Sequence, residues 1–396
     1  MAKYTIPLFT LESTIKRQLR VHLKKLGFTK SKDGMLIRPD YSKECNRNLH
    51  AAQREELLLS EQNFITRAWA VLGHYFANGD EVIPEKISPR LESISGGTWQ
   101  SDLFRLASLT WSVPVSKGYG RRLRFLVWDD SNNKLIGLIG LTDPVFNLRV
   151  RDNFIGWDVK SRSKRLVDAL DAFVLGALPP YNKLLCGKLV ACLIKTKEVR
   201  DIFKEKYSNV RGVISKKKKY ASLVLVTTSS ALGKSSVYNR LSLDGEKIFM
   251  PIGYTSGWGH FHIPKDLFLL IRKYLRRHRH RYSKNYRFGQ GPNWKLRAIR
   301  YALTSLGENE DLLRHGISRE VFACSLARNA KKMLNGKAKR PNYSGLGSVA
   351  EMAQKAKERW IVPRALKRPE YKLWKREMIY EMIATSSTSQ KLVKIS

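Results

Sequence analysis

Two histidines on either side of a phenylalanine, His260 and His262, have the residue type and spacing to hold a divalent cation. Side chains of an extended strand alternate between its two faces, so both imidazoles would lie on one face and Phe261 on the other. Imidazole is a common metal ligand, and a bound Mg²⁺ or Mn²⁺ would polarise a phosphate. The alternative is a pair of partly exposed histidines in a strand, because this spacing often arises by chance and the sequence suggests no third ligand.

This spacing resembles the paired histidines of HUH endonucleases, in which a tyrosine attacks a DNA phosphate. The resemblance implies a tyrosine nucleophile, and Tyr301, in a downstream segment with a helical pattern, is the candidate. An enzyme of this kind, a DNA nickase or a transposase-like strand-transferase, would require Mg²⁺ or Mn²⁺. Binding of DNA by itself would require no cofactor.

Aspartates in the basic central region offer a second set of candidate catalytic groups. Carboxylates hold pairs of metal ions in many nucleases, which makes Asp152 and Asp158 candidates. Each also has a structural interpretation: Asp152 follows Arg151 and would pair with an arginine, and Asp158 precedes a helical pattern and would cap it. The neighbours Asp129 and Asp130 are typical of a hairpin turn.

The segment 272–287 interleaves cations with tyrosines. Lysine and arginine neutralise phosphates, and tyrosine rings stack on exposed bases. The predicted nucleic-acid-binding residues of this segment are Arg272, Lys273, Arg276, Arg277, Arg279, Arg281, Tyr282 and Arg287. The alternative is a solvated helix face, and phosphate contacts of this kind carry no sequence specificity.

Two further places are candidates for nucleic-acid contact. A run of four lysines (Lys216, Lys217, Lys218 and Lys219) would form a loop that contacts phosphates or one that only keeps the chain soluble. Tyr238 and Arg240 form the other, with Tyr238 either stacking on a base or filling the core. The nearby Gly233-Lys234-Ser235 is no ATP-binding loop, because position 228, where that motif requires glycine, is Thr228.

The net charge narrows the class of partner. Lysine and arginine number 73 against 34 aspartates and glutamates, which gives a formal charge of +39 over 396 residues. Such a charge repels itself, so a polyanionic partner is expected: DNA first, with RNA not excluded. No apolar run is long enough to span a bilayer, so no membrane association is expected. The four cysteines have no CxxC spacing, which indicates a reduced, cytoplasmic protein without a zinc ribbon.

The elements that would position these residues belong to the α+β class. Helical patterns occupy 11–26, 49–78, 101–111, 159–178 and 198–207; apolar runs at 124–128 and 135–141 flank a turn and predict a hairpin. Strands are expected at 222–228 and within 249–263, while 185–194 fits a strand or a buried helix. We therefore expect a mixed β-sheet domain at 119–265, flanked by a helical region at 1–112 and a basic, mainly helical region at 266–396.

Three stretches of the central region resemble the DruA family, which takes its name from the Druantia anti-phage systems. The first is the hairpin at 124–141, the second is 151–166, and the third is 231–241 together with 251–261. Within 151–166, the residues that match the family signature are Arg151, Asp152, Ile155, Gly156, Trp157 and Arg162. The resemblance implies nucleic-acid work in phage defence beside other Druantia proteins, including a large helicase. It supplies no active site, and the nuclease-type domain of longer, transposase-like relatives has no clear counterpart here.

Three functions follow from these patterns. The leading one is a DNA-binding component of a bacterial anti-phage system that recognises or holds foreign DNA for a partner helicase. The second is the metal-dependent nickase or strand-transferase described above. The third is a structural hub that binds RNA or protein chiefly through its charge.

Overall fold

The structure is a computed structural model that describes residues 10–31, 36–211, 218–260, 262–284 and 294–384. For residues 210, 211, 218 and 219 it describes the backbone alone.

Helices and strands are both present along most of the chain. The helices are α1 (Leu11–Lys25), α2 (Lys43–Leu72), α3 (Trp99–Ser108), α4 (Arg149–Ile155), α5 (Val159–Arg165), α6 (Cys186–Cys192), α7 (Lys197–Tyr207), α8 (Lys265–Arg277), α9 (Trp294–Ser305), α10 (Ala330–Leu334), α11 (Val349–Ala356), α12 (Val362–Lys367) and α13 (Glu377–Ile383). The strands are β1 (Thr29–Lys30), β2 (Leu36–Ile37), β3 (Pro89–Ser93), β4 (Arg122–Asp129), β5 (Lys134–Thr142), β6 (Ala169–Ala177), β7 (Asn209–Arg211), β8 (Lys218–Tyr220), β9 (Leu225–Ser229), β10 (Ser242–Leu243), β11 (Glu246–Lys247), β12 (Met250–Tyr254) and β13 (Glu320–Ser325).

The chain divides into two compact units, each built from separate stretches. Unit one comprises Met1–Glu55 and Thr255–Arg319, and unit two comprises Glu56–Tyr254 and Glu320–Ser396. The sequence patterns predict three consecutive segments, whereas each unit combines stretches from different parts of the chain. Packing between residues far apart in sequence brings these stretches together.

Unit one is a helical body held by one apolar core. Helices α1, α8 and α9 contribute the buried side chains Ile15, Leu19, Leu23, Leu267, Phe268, Ile271, Leu275, Ala298, Ile299 and Leu303. The N-terminus of α1 is capped by Thr10, whose Oγ1 accepts a hydrogen bond from the Ser13 amide at 3.1 Å. Gly27 follows α1 with a φ of +81°, a conformation that glycine commonly provides after a helix.

Unit two is built on a seven-stranded sheet with the order β12-β13-β9-β6-β5-β4-β3. All neighbours are antiparallel except β6 and β9, which are parallel. Helices α6 and α11 share one apolar cluster with this sheet, and α3, α13 and the second part of α2 share another. A mixed sheet with helices from both ends of the chain confirms the α+β class. Two of its strands, the edge strand β3 and the inner strand β13, come from outside 119–265.

The predicted hairpin is confirmed. Strands β4 and β5 pair antiparallel around a turn in which Asp129, buried, accepts hydrogen bonds from the Ser131 amide and hydroxyl at 3.1 and 2.8 Å. The aspartate therefore fixes the turn through its own side chain, as aspartates in turns often do.

The prediction of a helix over 159–178 is wrong for the second half of this segment. Helix α5 ends at Arg165, and β6 begins at Ala169 between β5 and β9. Ala169, Leu170, Ala172 and Val174 are all buried in this strand. A central strand that is covered on both faces lacks the polar alternation that marks an edge strand, so its apolar run resembles a buried helix in sequence.

Segment 185–194, which fitted a strand or a helix, forms α6. Among the residues described, no helix is both long and apolar enough to cross a bilayer.

Candidate nucleic-acid interface

Helix α8 presents its predicted cations to solvent because an apolar stripe fixes its opposite side. Leu267, Phe268, Ile271, Tyr274 and Leu275 are buried against the rest of unit one. Lys273, Arg276 and Arg277 follow helical spacing on the remaining surface, and all three are exposed. The alternation of apolar and cationic residues therefore becomes an amphipathic helix with a basic outer face.

These cations have no carboxylate partner within the described part of the chain. No ion pair joins Lys273, Arg276, Arg277 or Arg279 to a described aspartate or glutamate. Some other cations of unit one are paired: Arg300, for example, lies 2.7 Å from Glu310. Uncompensated cations on one helix surface attract an anion more strongly than those already neutralised by a neighbouring acid.

The turn after α8 holds two more cations in place. Arg279 has a φ of +49°, and Arg281 lies over the ring of Tyr282 at 5.1 Å. The Tyr282 amide donates a hydrogen bond to His280 Nδ1 at 3.2 Å. Arg281 and Tyr282 thus contact each other, and one face of the predicted stacking tyrosine already carries a guanidinium.

Arg272 has a structural role within unit one. Its side chain is half-buried, and its Nη2 donates to the Ser283 carbonyl at 3.2 Å. The same guanidinium lies 5.9 Å from the centre of the Trp294 ring on α9. Arg272 therefore joins the turn after α8 to the start of α9, which the sequence pattern alone did not distinguish from phosphate contact.

The whole of unit one shares this basic character. Its two stretches hold 26 lysines and arginines against 9 aspartates and glutamates in the sequence. Helix α1 adds Lys24 and Lys25 in its last turn, and both are exposed. The sequence patterns did not lead us to predict these two residues as contacts, although the helical, basic pattern of α1 was the signal that could have identified them.

Several predicted contacts lie outside what the structure describes. Lys216, Lys217 and Arg287 fall outside the described residues, and Lys218 and Lys219 are described only as backbone of β8. Their predicted contact with nucleic acid stays a prediction.

The strand expected within 249–263 is β12, and it ends at Tyr254, before His260 and His262. The alternation that would have placed both imidazoles on one face of a strand is therefore absent. His260 lies in a bend and His262 in a turn ahead of α8, and Phe261 lies outside the described residues. His262 is buried, and its Nε2 donates to the Leu312 carbonyl at 2.8 Å. Burial lowers the pKa of each imidazole to about 4.

No metal cluster accompanies these histidines in the described ranges. Across them, no three histidine, cysteine, aspartate or glutamate side chains converge as a metal ion would need. His262 instead faces the ring of His315, with centroids 5.9 Å apart, and His22 donates through Nε2 to the His262 carbonyl at 2.9 Å. The arrangement is that of histidines packed into the interior of unit one.

Tyr301, the candidate nucleophile, lies on the outer side of α9. Its side chain is 43 % exposed, and its ring stacks on His280. The hydroxyl would be a poor nucleophile without a base beside it, and no hydrogen bond from it to a described residue supplies one.

Asp152 is neutralised by two guanidiniums. Its Oδ1 accepts from Arg151 at 2.7 Å and its Oδ2 accepts from Arg162 at 2.7 Å. All three side chains are buried, and Arg151 also donates to the carbonyls of Val145 and Phe146 at 2.8 and 3.0 Å. The ion pair expected with Arg151 is confirmed, and Arg162 is a partner that the sequence pattern did not identify.

Asp158 caps α5, as predicted. Its Oδ1 accepts from the Ser161 amide at 2.7 Å, and this hydrogen bond lowers the pKa of the carboxyl below its usual value. Asp152 and Asp158 thus have separate structural tasks.

Tyr238 is packed against the core of unit two. Its ring lies 5.0 Å from that of Phe249 and 5.2 Å from that of Phe322, and its hydroxyl donates to the Leu175 carbonyl at 3.4 Å. Burial raises its pKa to about 12. The neighbouring Arg240 is exposed and remains available for an anion.

Glu320 anchors the loop that carries Tyr238 and Arg240. It is 5 % exposed, and its Oε2 accepts from the Ser235 amide at 3.0 Å and from Asn239 Nδ2 at 2.7 Å. Tyr254 donates to its other oxygen at 3.4 Å. Sequence reasoning missed Glu320, which lies 85 residues beyond Ser235 and outside the predicted sheet domain.

Comparison of the sequence with known proteins places the chain in a defined family. The family model described as Druantia protein DruA matches residues 40–336 of this chain. The chain therefore belongs to the DruA family. It is 54 % identical over 376 residues to the Druantia protein DruA of Escherichia coli (strain UMEA 4076-1), covering 95 % of this chain and 93 % of that protein. No solved structure matches the chain.

Family membership agrees with the resemblance identified in the sequence and makes the chain a component of a Druantia defence system. The chain covers nearly the full length of its relative, so the comparison applies to both units.

Proposed function

We propose that this Druantia component binds DNA through the basic surface of unit one and holds it for other proteins of the defence system. The observation that carries the proposal is the outer face of α8, where Lys273, Arg276 and Arg277 are exposed and lack a carboxylate partner among the described residues. Each phosphate that such a cation neutralises releases a condensed counterion, which favours binding to any nucleic acid strand.

The fixed geometry of the following turn supports the same proposal. Arg272 ties this turn to α9, and the stack of Tyr301 on His280 holds it from the other side. Cations on a preorganised scaffold lose less conformational entropy when they meet a phosphate, so binding costs less than it would on a mobile tail.

Binding of this kind needs no metal. The nickase or strand-transferase alternative would require Mg²⁺ or Mn²⁺ and remains the competing hypothesis for the same protein. A large helicase is the partner that we propose from the family resemblance, since DNA held by one protein is a substrate for the other.

The test is incubation of the purified chain with supercoiled plasmid, linear duplex, single-stranded DNA and RNA, with and without Mg²⁺ or Mn²⁺. We expect salt-sensitive retardation of DNA without cleavage under all metal conditions. Arg276→Ala/Arg277→Ala should weaken binding, whereas Arg300→Ala/Arg314→Ala removes the same charge from residues already paired with Glu310 and Asp311 and should change it less.

Two results would overturn the proposal. Metal-dependent nicking that His260→Ala/His262→Ala abolishes would make the protein a nuclease. Equal loss of binding in the two arginine variants would show that overall charge, and not the α8 surface, governs the interaction. The helicase partnership is tested separately by co-purification of the two proteins after DNase treatment, where loss of the complex would mean that DNA alone connects them.

A further inference from the structure

Unit one contains a cavity of about 550 Å³ bounded by α1, the paired strands β1 and β2, and the turn after α9. Its walls are apolar, and they are formed by Leu19, Leu23, Phe28, Leu36 and Leu312. This volume lies within the range of about 300–1,000 Å³ typical of small-molecule pockets. The cavity is therefore large enough for a flat ring system with its linking sugar.

The rim of the cavity is cationic. Arg20, Lys24 and Lys30 lie along it, and all three are exposed. Lys24 forms no ion pair with a described carboxylate, while Arg20 and Lys30 approach Glu308 at 3.0 and 3.9 Å. An apolar interior behind a basic rim suits a ligand whose apolar body is attached to an anion.

Among the described residues, Glu308 is the acidic side chain that lines this cavity. Its side chain is 8 % exposed, and its Oε1 accepts a hydrogen bond from Arg20. A carboxylate has about four lone-pair positions, so Glu308 can accept further hydrogen bonds. Exocyclic amino groups of adenine, cytosine and guanine are donors of the kind that this carboxylate would accept, and thymine has no such group.

We propose that this cavity receives an unpaired nucleobase, with the adjoining phosphates on Lys24, Arg20 and Lys30. The inference rests on the proposed function, since it names the DNA feature that a DNA-binding unit one would recognise. Base insertion replaces stacking lost in the strand by contact with apolar walls, and it is cheapest for a base that is already unpaired. The expected ligand is therefore DNA with a bulged, flipped or single-stranded amino-bearing base.

The test compares a duplex oligonucleotide with the same duplex carrying one unpaired adenine or one unpaired thymine. The wild-type chain should bind the adenine bulge about tenfold more tightly than the perfect duplex, the gain typical of one well-placed base contact. The thymine bulge should gain less, because its single N3–H donor replaces the two N–H donors of an exocyclic amino group. A 2-aminopurine at the bulge should change its fluorescence on binding.

Lys24 and Lys25 provide a matched pair of variants. They are adjacent exposed lysines in the last turn of α1, but only Lys24 lines the cavity. Lys24→Ala should reduce the preference for the bulge, while Lys25→Ala should keep it. Leu36→Trp fills the cavity from a half-buried wall position and should abolish the preference for the bulge while duplex binding persists. Glu308→Gln replaces only the carboxylate by an amide and tests the hydrogen bond to the base.

The outcomes separate the two proposals. If the wild-type chain binds no DNA, the proposed function fails and this inference fails with it. If it binds duplex and bulged DNA equally, or if Leu36→Trp with a wild-type unfolding temperature keeps the preference, only the cavity inference is overturned. Displacement of the 2-aminopurine signal by an acidic peptide or by anionic lipid vesicles, but not by unpaired oligonucleotides, would assign the cavity to that other ligand.

Discussion

The ring of Tyr301 stacks on the imidazole of His280, with centroids 3.7 Å apart and planes inclined by 14°. The two residues belong to consecutive parts of unit one: His280 lies in the turn after α8, and Tyr301 lies on α9. The stack therefore fixes the turn that carries Arg279 and Arg281, and it gives Tyr301 a task other than attack on a phosphate.

Substitution of Tyr301 distinguishes these tasks. Tyr301→Phe keeps the stacking ring and should leave DNA affinity nearly unchanged, because only the hydroxyl is lost. Tyr301→Ala removes the stack, loosens the turn and should weaken binding several-fold. The measurement is fluorescence anisotropy with a labelled duplex. A cleavage activity that Tyr301→Phe abolishes would show that the hydroxyl is the nucleophile.

The salt dependence of binding should report the cations of α8. Each phosphate contact contributes about 0.9 to the slope of log K against log salt concentration on duplex DNA. Lys273→Ala/Arg276→Ala/Arg277→Ala should therefore lower the slope by roughly 2 to 3. Titrations at several salt concentrations measure it, with Arg300→Ala as a control. An unchanged slope would place the phosphate contacts elsewhere on the protein.

Asp152 should be essential for stability. Asp152→Asn leaves Arg151 and Arg162 without their shared counter-charge in a buried site, and breaking such a pair costs about 3–5 kcal/mol. We expect a large fall in unfolding temperature. Asp158→Asn is the control, since asparagine caps a helix as well as aspartate does. An Asp152→Asn protein that unfolds like the wild type but has lost a nuclease activity would restore the catalytic interpretation.

Unit one should lose stability in mild acid. Burial lowers the pKa of His262 to about 4 and that of His315 to about 3, and His22, His50 and Arg319 lie near them and oppose a further positive charge. The unfolded chain binds these protons near pH 6.5, so stability is complete above that pH and falls towards pH 4. The loss is on the order of 3 kcal/mol for each histidine.

Thermal unfolding between pH 7 and pH 4 tests this expectation. His262→Gln should lower stability at pH 7 and flatten the dependence on pH, because one of the protonating groups is gone. His278→Gln is the control, since this histidine is largely exposed. Identical pH profiles for the wild type and His262→Gln would show that other groups cause the acid sensitivity.

Removal of Glu320 should release the loop that carries Tyr238 and Arg240. Glu320→Ala leaves the Ser235 amide and the Asn239 side chain without their acceptor, which costs about 1–3 kcal/mol. Faster hydrogen exchange of the amides in 233–240 is the expected readout. Glu377→Ala, an exposed glutamate on α13, should not change it. Equal exchange in both variants would mean that packing of Tyr238 alone holds the loop.

Local signals in the sequence were reliable where neighbouring residues decide the structure. The hairpin around Asp129, the cap at Asp158 and the ion pair of Arg151 with Asp152 depend on groups a few residues apart. They form as expected because hydrogen bonds and charge pairs at short separation need no distant partner.

Periodicity was less informative where distant elements meet. The sequence of strand β6 resembles a buried helix because apolar clusters cover both faces of the strand. His262 fits the alternation of a strand, although it lies in a turn and donates a hydrogen bond to the Leu312 carbonyl. In each case the deciding contacts come from residues far along the chain, which a pattern of neighbours does not record.

The sequence by itself determined the charge of this protein, its family and its local turns and caps. Charge and family depend on the residues alone, and turns and caps depend on hydrogen bonds between residues a few positions apart. Only the tertiary structure decided that α1 joins α8 and α9 in one basic unit and that Glu320 anchors a loop 85 residues earlier. It also decided that Lys24 lines a cavity while Lys25 does not. The physical reason is burial: which cations face solvent and which acids are enclosed depends on packing between segments distant in the chain.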